Sequence, residues 1–527
     1  MKKLSKKIAI LKEKIIHGDK TKLIEKEGKH RNELSILLDM LKTIYIDIIP
    51  KSSCKNKEAN INSIADTFSY AAISYESGVA KNILKSLIFL DELLICIESN
   101  FQEPPVCTLR EKLLYLYQSA RNLHVFKKLN SKIIHFIWIG KMSKTQLKHV
   151  ELWAKHNNDY RIMLWIDPKT LLAGELLKAK KNTLRSDRTG KQEALRIQRE
   201  CWCFSQEKHG VNDEIIAEYL IKTPSKTTLN SLHKKREKAY RDFIYLKSSH
   251  NNIEIMDINN LTSKVKNRIE YDIYKLEIFY RTNLAAASDV IRLLILLEFG
   301  GIYIDIDTLP KINISFPNTE RYLTNNDRLE GNHEKIEAMK NTMVFEKFWG
   351  IRSEGKKFLE TNDYINRPAL FNAMKKDLCN IETNSIFSGL QEIKIPFDIP
   401  LISRNNKNIN VFFSNVIVAN SHSMTINRAL CIIKENYREI TCLLEKNSQN
   451  DFISNYTLDG YKNSSRITLK ISGPGVLLRA IILTIIDTLE LPKDISEPAL
   501  LGLINTHLSF TEQTMETETG LTSSWMK

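Results

Sequence analysis

The sequence predicts an α/β fold, with a mostly parallel central sheet, helical insertions and an N-terminal helical bundle. Three observations carry this. Residues 1–128 show helical periodicity throughout. From Lys132 onward short apolar β-like runs alternate with helical segments, the pattern of a parallel sheet covered by helices. One of those runs leads into a pair of carboxylates, in FGGIYIDIDTLP at 299–310.

The elements follow in order. Leu4, Ile8, Leu11 and Ile15 recur at helical spacing until Gly18 and Asp19 interrupt them. Further helices are expected at 32–49, ended by Pro50, and at 62–75, 79–99 and 109–125, the last preceded by Glu103-Pro104-Pro105. Short loops between amphipathic helices imply an antiparallel bundle. Lys2, Lys3, Lys6, Lys7, Lys12 and Lys14 make one tip basic. A core domain then spans 129–527. Strands are expected at 132–140, 160–166, 253–256, 302–306 and 410–418. A helix is expected at 286–297, and the charged stretch 170–280 is too long for a simple crossover, so it reads as a helical insertion.

Composition narrows the functional classes. A chain of 527 residues with 43% hydrophobic and 26% charged residues is ordinary for a globular protein, but a net charge of +15 is not. That charge predicts attraction to an anionic partner. The basic tip lacks interleaved aromatics, which favours an anionic membrane face over nucleic acid; no nucleic-acid partner is expected. The eight cysteines show no C-x-x-C pair, and Cys201-Trp202-Cys203 reads as reduced thiols on a helix. The apolar run 8–11 is too short for a secretory signal, and 481–486 is core-sized rather than membrane-spanning.

The chemistry gathers around Asp305 and Asp307. Alternation along a strand would send both carboxylates to one side, where a hard divalent cation, Mn²⁺ or Mg²⁺, could be held against a diphosphate. Asp289 and Arg292 stand one turn apart on the expected helix, a spacing that also suits an internal salt bridge. Trp138 closes the first core strand, at the end where α/β sheets bind ligands. Tyr303, two residues before Asp305, shares its face in a regular strand.

Four segments, IHFIWIG (134–140), NLAAASDVIR (283–292), GGIYIDIDTLP (300–310) and ISGPG (471–475), together with Ser523-Ser524-Trp525, make the chain similar to one family. It resembles the glycosyltransferase domain of the large clostridial glucosylating toxins over nearly its whole length. The resemblance implies a GT-A fold and retaining transfer of a hexose from a UDP-sugar to a hydroxyl of a host small GTPase of the Rho/Ras superfamily. It also implies a protein that enters host cells without a classical signal peptide and acts at the inner face of membranes.

By the same resemblance Trp138 stands against the uracil, Asp289 and Arg292 meet sugar hydroxyls, and Ile137, Leu284, Ser288, Tyr303 and Asp305 line the donor. Asp307 ligates the metal directly and Asp305 through water. Gly473, Pro474 and Gly475 approach the donor, and Ser523 and Trp525 sit on a C-terminal loop that closes over UDP, Ser523 giving an oxygen to the metal. The pattern departs at Gly520, where the family has Glu; Glu518 is the expected substitute ligand. Asn420 is expected on the sugar. Its small neighbours Ala419 and Ser421 leave room for an N-acetyl group, so N-acetylglucosamine is expected over glucose. Two other classes compete: a transferase of bacterial surface polysaccharide, which needs no basic bundle, and a non-enzymatic membrane- or nucleic-acid-binding protein, which gives Asp305, Asp307, Trp138 and Trp525 no purpose.

Overall fold

The computed structural model describes residues 126–516 except 187, 224–227, 263–267, 311, 313, 325–332, 351–367, 380, 382–385, 388, 391, 397–398, 405–411, 447–450, 462–465, 489–508 and 511–513. The expected bundle at 1–128 lies outside the described residues up to 125. Its last three, Phe126–Lys128 (β1), pair with a strand of the core.

The first core strand is β2 (Ile133–Trp138), followed by α1 (Lys144–His156) and β3 (Arg161–Ile166). Four helices come next: α2 (Ala173–Leu184), α3 (Lys191–Glu207), α4 (Asp213–Lys222) and α5 (Leu229–Ser249). The chain returns to the sheet as β4 (Ile253–Asp257), then forms α6 (Ile258–Thr262) and α7 (Arg268–Leu276), which runs into a π-helical turn at Glu277–Arg281. The helical insertion expected over 170–280 is therefore cut by β4: only α2–α5 lie between neighbouring strands of the sheet. Cys201 and Cys203 are free thiols on α3, the first buried and the second exposed.

The helix α8 (Leu284–Phe299) leads into β5 (Gly301–Ile304) and β6 (Thr308–Pro310). Beyond them are α9 (Pro317–Thr324), α10 (His333–Trp349), α11 (Pro368–Cys379), β7 (Lys394–Pro396), β8 (Leu401–Arg404) and β9 (Phe412–Ala419). Last come α12 (Met424–Glu445), α13 (Asp451–Leu458), α14 (Ile467–Ile471), α15 (Pro474–Thr488), β10 (Ser509–Phe510) and β11 (Thr514–Glu516).

The seven-stranded sheet has the order β10-β8-β9-β5-β2-β3-β4. The ladders β5–β2, β2–β3, β3–β4 and β10–β8 are parallel, and only β9 runs antiparallel to its neighbours. The sheet is covered on both faces, which is why its strands read as nearly unbroken apolar runs. Ile134, Phe136, Ile162, Leu164, Ile302 and Ile304 pack with Val150 and Trp153 of α1 and Phe243 of α5. Ile137, Trp165, Tyr303 and Ile417 face the other way, against Val290 and Leu294 of α8 and Ile433 of α12. Truncating a residue as buried as Phe136, at 0% exposure, costs about 3–5 kcal/mol.

The helix α8 starts at Asn283, whose side chain accepts from the Ala286 N–H, and stops at Gly300. Gly300 has φ +61°, and a Cβ there would stand 2.4 Å from the Ser421 nitrogen. The apolar stretch Ile467–Thr488 is long enough by composition to cross a membrane, contrary to the reading of the sequence. It is two helices broken at Ser472 and Gly473, and α15 buries Val476, Leu477, Ala480, Ile481, Thr484 and Ile485 in the core.

Candidate active site

The site lies at the C-terminal ends of β2 and β5. Asp305 follows β5 directly, and its N–H donates to the Asn415 carbonyl of β9 at 2.7 Å. The chain then turns: the Thr308 N–H donates to the Asp305 carbonyl at 2.8 Å. This corrects one expectation. The strand ends at Ile304, so Asp305 and Asp307 are not related by strand alternation; both lie half-buried on a turn with Ile306 buried between them.

Tyr303 and Asp305 do share a face. The Tyr303 hydroxyl donates to Asp305 Oδ1 at 2.5 Å. On α8, Arg292 Nη2 bonds Asp289, so the salt bridge that the spacing allows is formed. Arg292 Nη1 reaches the Ser414 carbonyl at 2.8 Å and Asp305 Oδ1 at 3.4 Å, and the guanidinium lies 4.8 Å from the Tyr303 ring centroid. Ser472 Oγ donates to Asp289 Oδ2 at 3.1 Å, which brings Gly473 and the start of α15, with Pro474 and Gly475, to the same place. A Cβ on Gly475 would stand 2.8 Å from the Leu469 carbonyl oxygen, so the close approach of the start of α15 to α14 requires glycine.

Burial pushes the Asp289 carboxyl up to about 6, against the pull of Arg292. Burial likewise raises the Tyr303 hydroxyl well above its usual range, so it stays a neutral donor; Ser288 is one of its hydrogen-bond partners. Asp289, Asp305 and Asp307 all act on the Arg292 charge. Two half-buried carboxylates, Asp305 and Asp307, at the sheet's C-terminal end are the donor type for a cation that keeps waters and completes its shell with substrate phosphates. Among the described residues no group of three or more His, Cys, Asp or Glu could hold a metal alone.

Trp138 ends β2 and is half-buried, and its Nε1–H is buried without an acceptor among the described residues. A buried donor left unpaired is costly, and a ligand acceptor would relieve it. Ile137 is buried in the core, so only its backbone can face a ligand. Leu284 and Ser288 lie in the first turns of α8.

Asn420 is not part of this cluster. Antiparallel pairing sets Gly301 opposite Ala419 and Ile304 opposite Val416, so Asn420 falls beyond the other end of β5. Its Oδ1 accepts from the Asn130 N–H, ahead of β2. Five residues of extended chain, about 16 Å, separate it from Asn415. Ala419 is buried and Ser421 packs on Gly300, so both serve the glycine turn and neither shapes a sugar pocket. The β9 residues at the site are Ser414 and Asn415, a polar pair inside the apolar run of β9 that the reading of the sequence passed over.

Glu518, Ser523 and Trp525 lie outside the described residues. The strand β11 pairs antiparallel with β6, setting Glu516 opposite Thr308 and so next to the turn of Asp307.

A profile of the TcdA/TcdB catalytic glycosyltransferase domain matches residues 132–465. The chain belongs to this toxin glycosyltransferase family. It is 26% identical over 449 residues to Toxin A of Clostridium novyi, covering 78% of this chain and 19% of that protein. It is 25% identical over 422 residues to Cytotoxin-L of Paraclostridium sordellii, covering 70% of this chain and 17% of that one. The chain thus spans about a fifth of the length of these relatives.

Among solved structures, the catalytic domain of alpha-toxin from Clostridium novyi shares the fold at TM-score 0.60, with 19% identity and 95% of each chain covered. The UDP-bound glycosyltransferase domain of the YGT toxin aligns at TM-score 0.53 and 18% identity, over 76% of this chain and 83% of that one.

Proposed function

We propose that the chain transfers a hexose from a UDP-sugar to a hydroxyl of a host protein, with retention of configuration and with Mn²⁺ or Mg²⁺ as cofactor. The observation that carries this is the cluster of Asp289, Arg292, Tyr303 and Asp305 beside Asp307 and the buried Trp138 Nε1–H, which has no acceptor among the described residues, all at one end of the sheet. In this reading Trp138 takes the base, Asp289 and Arg292 take sugar hydroxyls, and Asp305 and Asp307 hold the cation, which would stabilise charge on the departing diphosphate. Ser523, Trp525 and Glu518 would complete the site from the C-terminal segment.

The proposed acceptor is a small GTPase of the Rho/Ras superfamily, and residues 1–128 would dock on anionic membrane through their lysines. With Asn420 at the far end of β5, the small Ala419 and Ser421 give no preference for N-acetylglucosamine over glucose. Ser414 and Asn415, which bond Arg292 and Asp305, would meet the donor instead.

The test is incubation of the protein with mammalian lysate and radiolabelled UDP-glucose or UDP-N-acetylglucosamine. The expected result is a labelled protein band near small-GTPase size, dependent on added Mn²⁺. Label in glycan alone would favour a polysaccharide transferase, and no transfer from either donor would overturn the proposal.

A further inference from the structure

We infer that His149 and Trp153 are positioning residues which clamp the backbone of the turn bearing Asp305 and Asp307, and thereby set how well the site takes a divalent cation with a nucleoside diphosphate. The inference rests on the proposed reading of that turn.

Both side chains stand on α1, one turn apart, so they share a face, and both are buried. The helix is anchored at its start by a capping box in which Ser143 and Gln146 bond each other's backbone. His149 Nδ1 lies 2.7 Å from the Ile306 carbonyl oxygen. A carbonyl only accepts, so Nδ1 carries the hydrogen and donates. Trp153 Nε1 donates to the Thr308 carbonyl at 2.9 Å. The two anchored carbonyls belong to the residues on either side of Asp307.

Asp305 is fixed differently. Its own N–H is tied to Asn415 of β9, and Asn415 Nδ2 also donates to Thr308 Oγ1 at 3.1 Å. The backbone at Asp305 is thus held from the sheet, whereas both carbonyls flanking Asp307 are held from α1, with the Thr308 hydroxyl alone tied back to β9. A small hard cation demands near-octahedral ligand geometry, so a turn free to pivot would present Asp307 at variable distance. Packing alone would be served by Phe or Leu at both positions. Two N–H donors on consecutive turns of one helix, each aimed at a main-chain oxygen beside the same carboxylate, are what a clamp requires and a core does not.

The test uses the whole chain and reads binding as well as turnover. Trp153→Phe keeps the ring that packs on Phe136 and removes the donor. His149→Leu removes the other donor, while His149→Asn sets an amide N–H where Nδ1 stood. Calorimetric titration of UDP in the presence of Mn²⁺ should show Trp153→Phe and His149→Leu weakened by about tenfold or more, with His149→Asn close to wild type, as expected when groups supporting a metal site are lost. The Mn²⁺ concentration for half-maximal UDP-sugar hydrolysis should rise in step.

Folded variants with wild-type UDP and Mn²⁺ affinity would overturn the clamp. If His149→Leu does not fold, Trp153→Phe decides alone. A wild type that binds no UDP with Mn²⁺ would overturn the reading of the site and the clamp together, whereas a binding wild type with unchanged variants overturns the clamp only.

Discussion

Replacing Asp305 and Asp307 together by Asn should abolish transfer and leave the fold intact. The amide oxygen at 305 can still accept from the Tyr303 hydroxyl at 2.5 Å and stay within reach of Arg292 Nη1 at 3.4 Å. Arg292 keeps Asp289 and the Ser414 carbonyl, so no buried guanidinium is stranded. Losing the Asp305 charge also relieves the repulsion that helps raise Asp289. Because both replaced groups are only half-buried, the stability change should stay within about 1 kcal/mol. Turnover depends on the charge that was removed. A cation lost from the leaving group should cost at least about a thousandfold, or about 4 kcal/mol of transition-state stabilisation. Release of radiolabelled hexose from UDP-sugar measures the first quantity and thermal unfolding the second. EDTA should inactivate the wild type and Mn²⁺ restore it. A folded double variant turning over within tenfold of wild type would refute the assignment.

Four further outcomes are expected. Because burial holds Asp289 at about 6, kcat/KM for UDP-sugar hydrolysis should fall as pH drops through that value, and Asp289→Asn should be slow with no such inflection. His135 is buried, accepts at Nδ1 from Trp165 and bonds the Gly300 carbonyl through Nε2, and burial lowers it from 6.5 to about 4. A histidine depressed in the fold lends stability that is full above pH 6.5 and is lost as pH falls toward 4, so urea unfolding should show wild type losing up to about 3 kcal/mol relative to His135→Gln over that range. Asn420→Ala should leave donor kinetics unchanged while Asn415→Ala lowers kcat/KM at least about tenfold; the reverse order would restore Asn420 to the site. Phosphatidylserine vesicles should bind a fragment spanning 1–128 less tightly as salt is added, and salt-insensitive or absent binding would count against membrane docking.

The sequence alone determined the class of fold and most of the residues that gather at the candidate site. Strands buried on both faces must be apolar throughout, so β2, β3, β5 and β9 announced themselves within a few residues of their ends. Asp289, Arg292, Tyr303 and Asp305 were legible because local periodicity governs which of them share a helix face or a strand face. Asp307 was found for an incomplete reason, since no periodicity marks where a strand gives way to a turn.

Tertiary structure alone decided which end of the sheet each strand presents. Asn415 lies within β9 and Asn420 just after it, and only the antiparallel register with β5 shows that Asn415 meets Asp305 while Asn420 lies beyond Gly301. The same holds for His149 and Trp153, which are unremarkable on an amphipathic helix until α1 packs across the turn. Periodicity is a property of neighbouring residues and survives in one dimension; register and the docking of a helix on a distant turn are set by contacts between parts of the chain far apart in sequence, and exist only once it has folded.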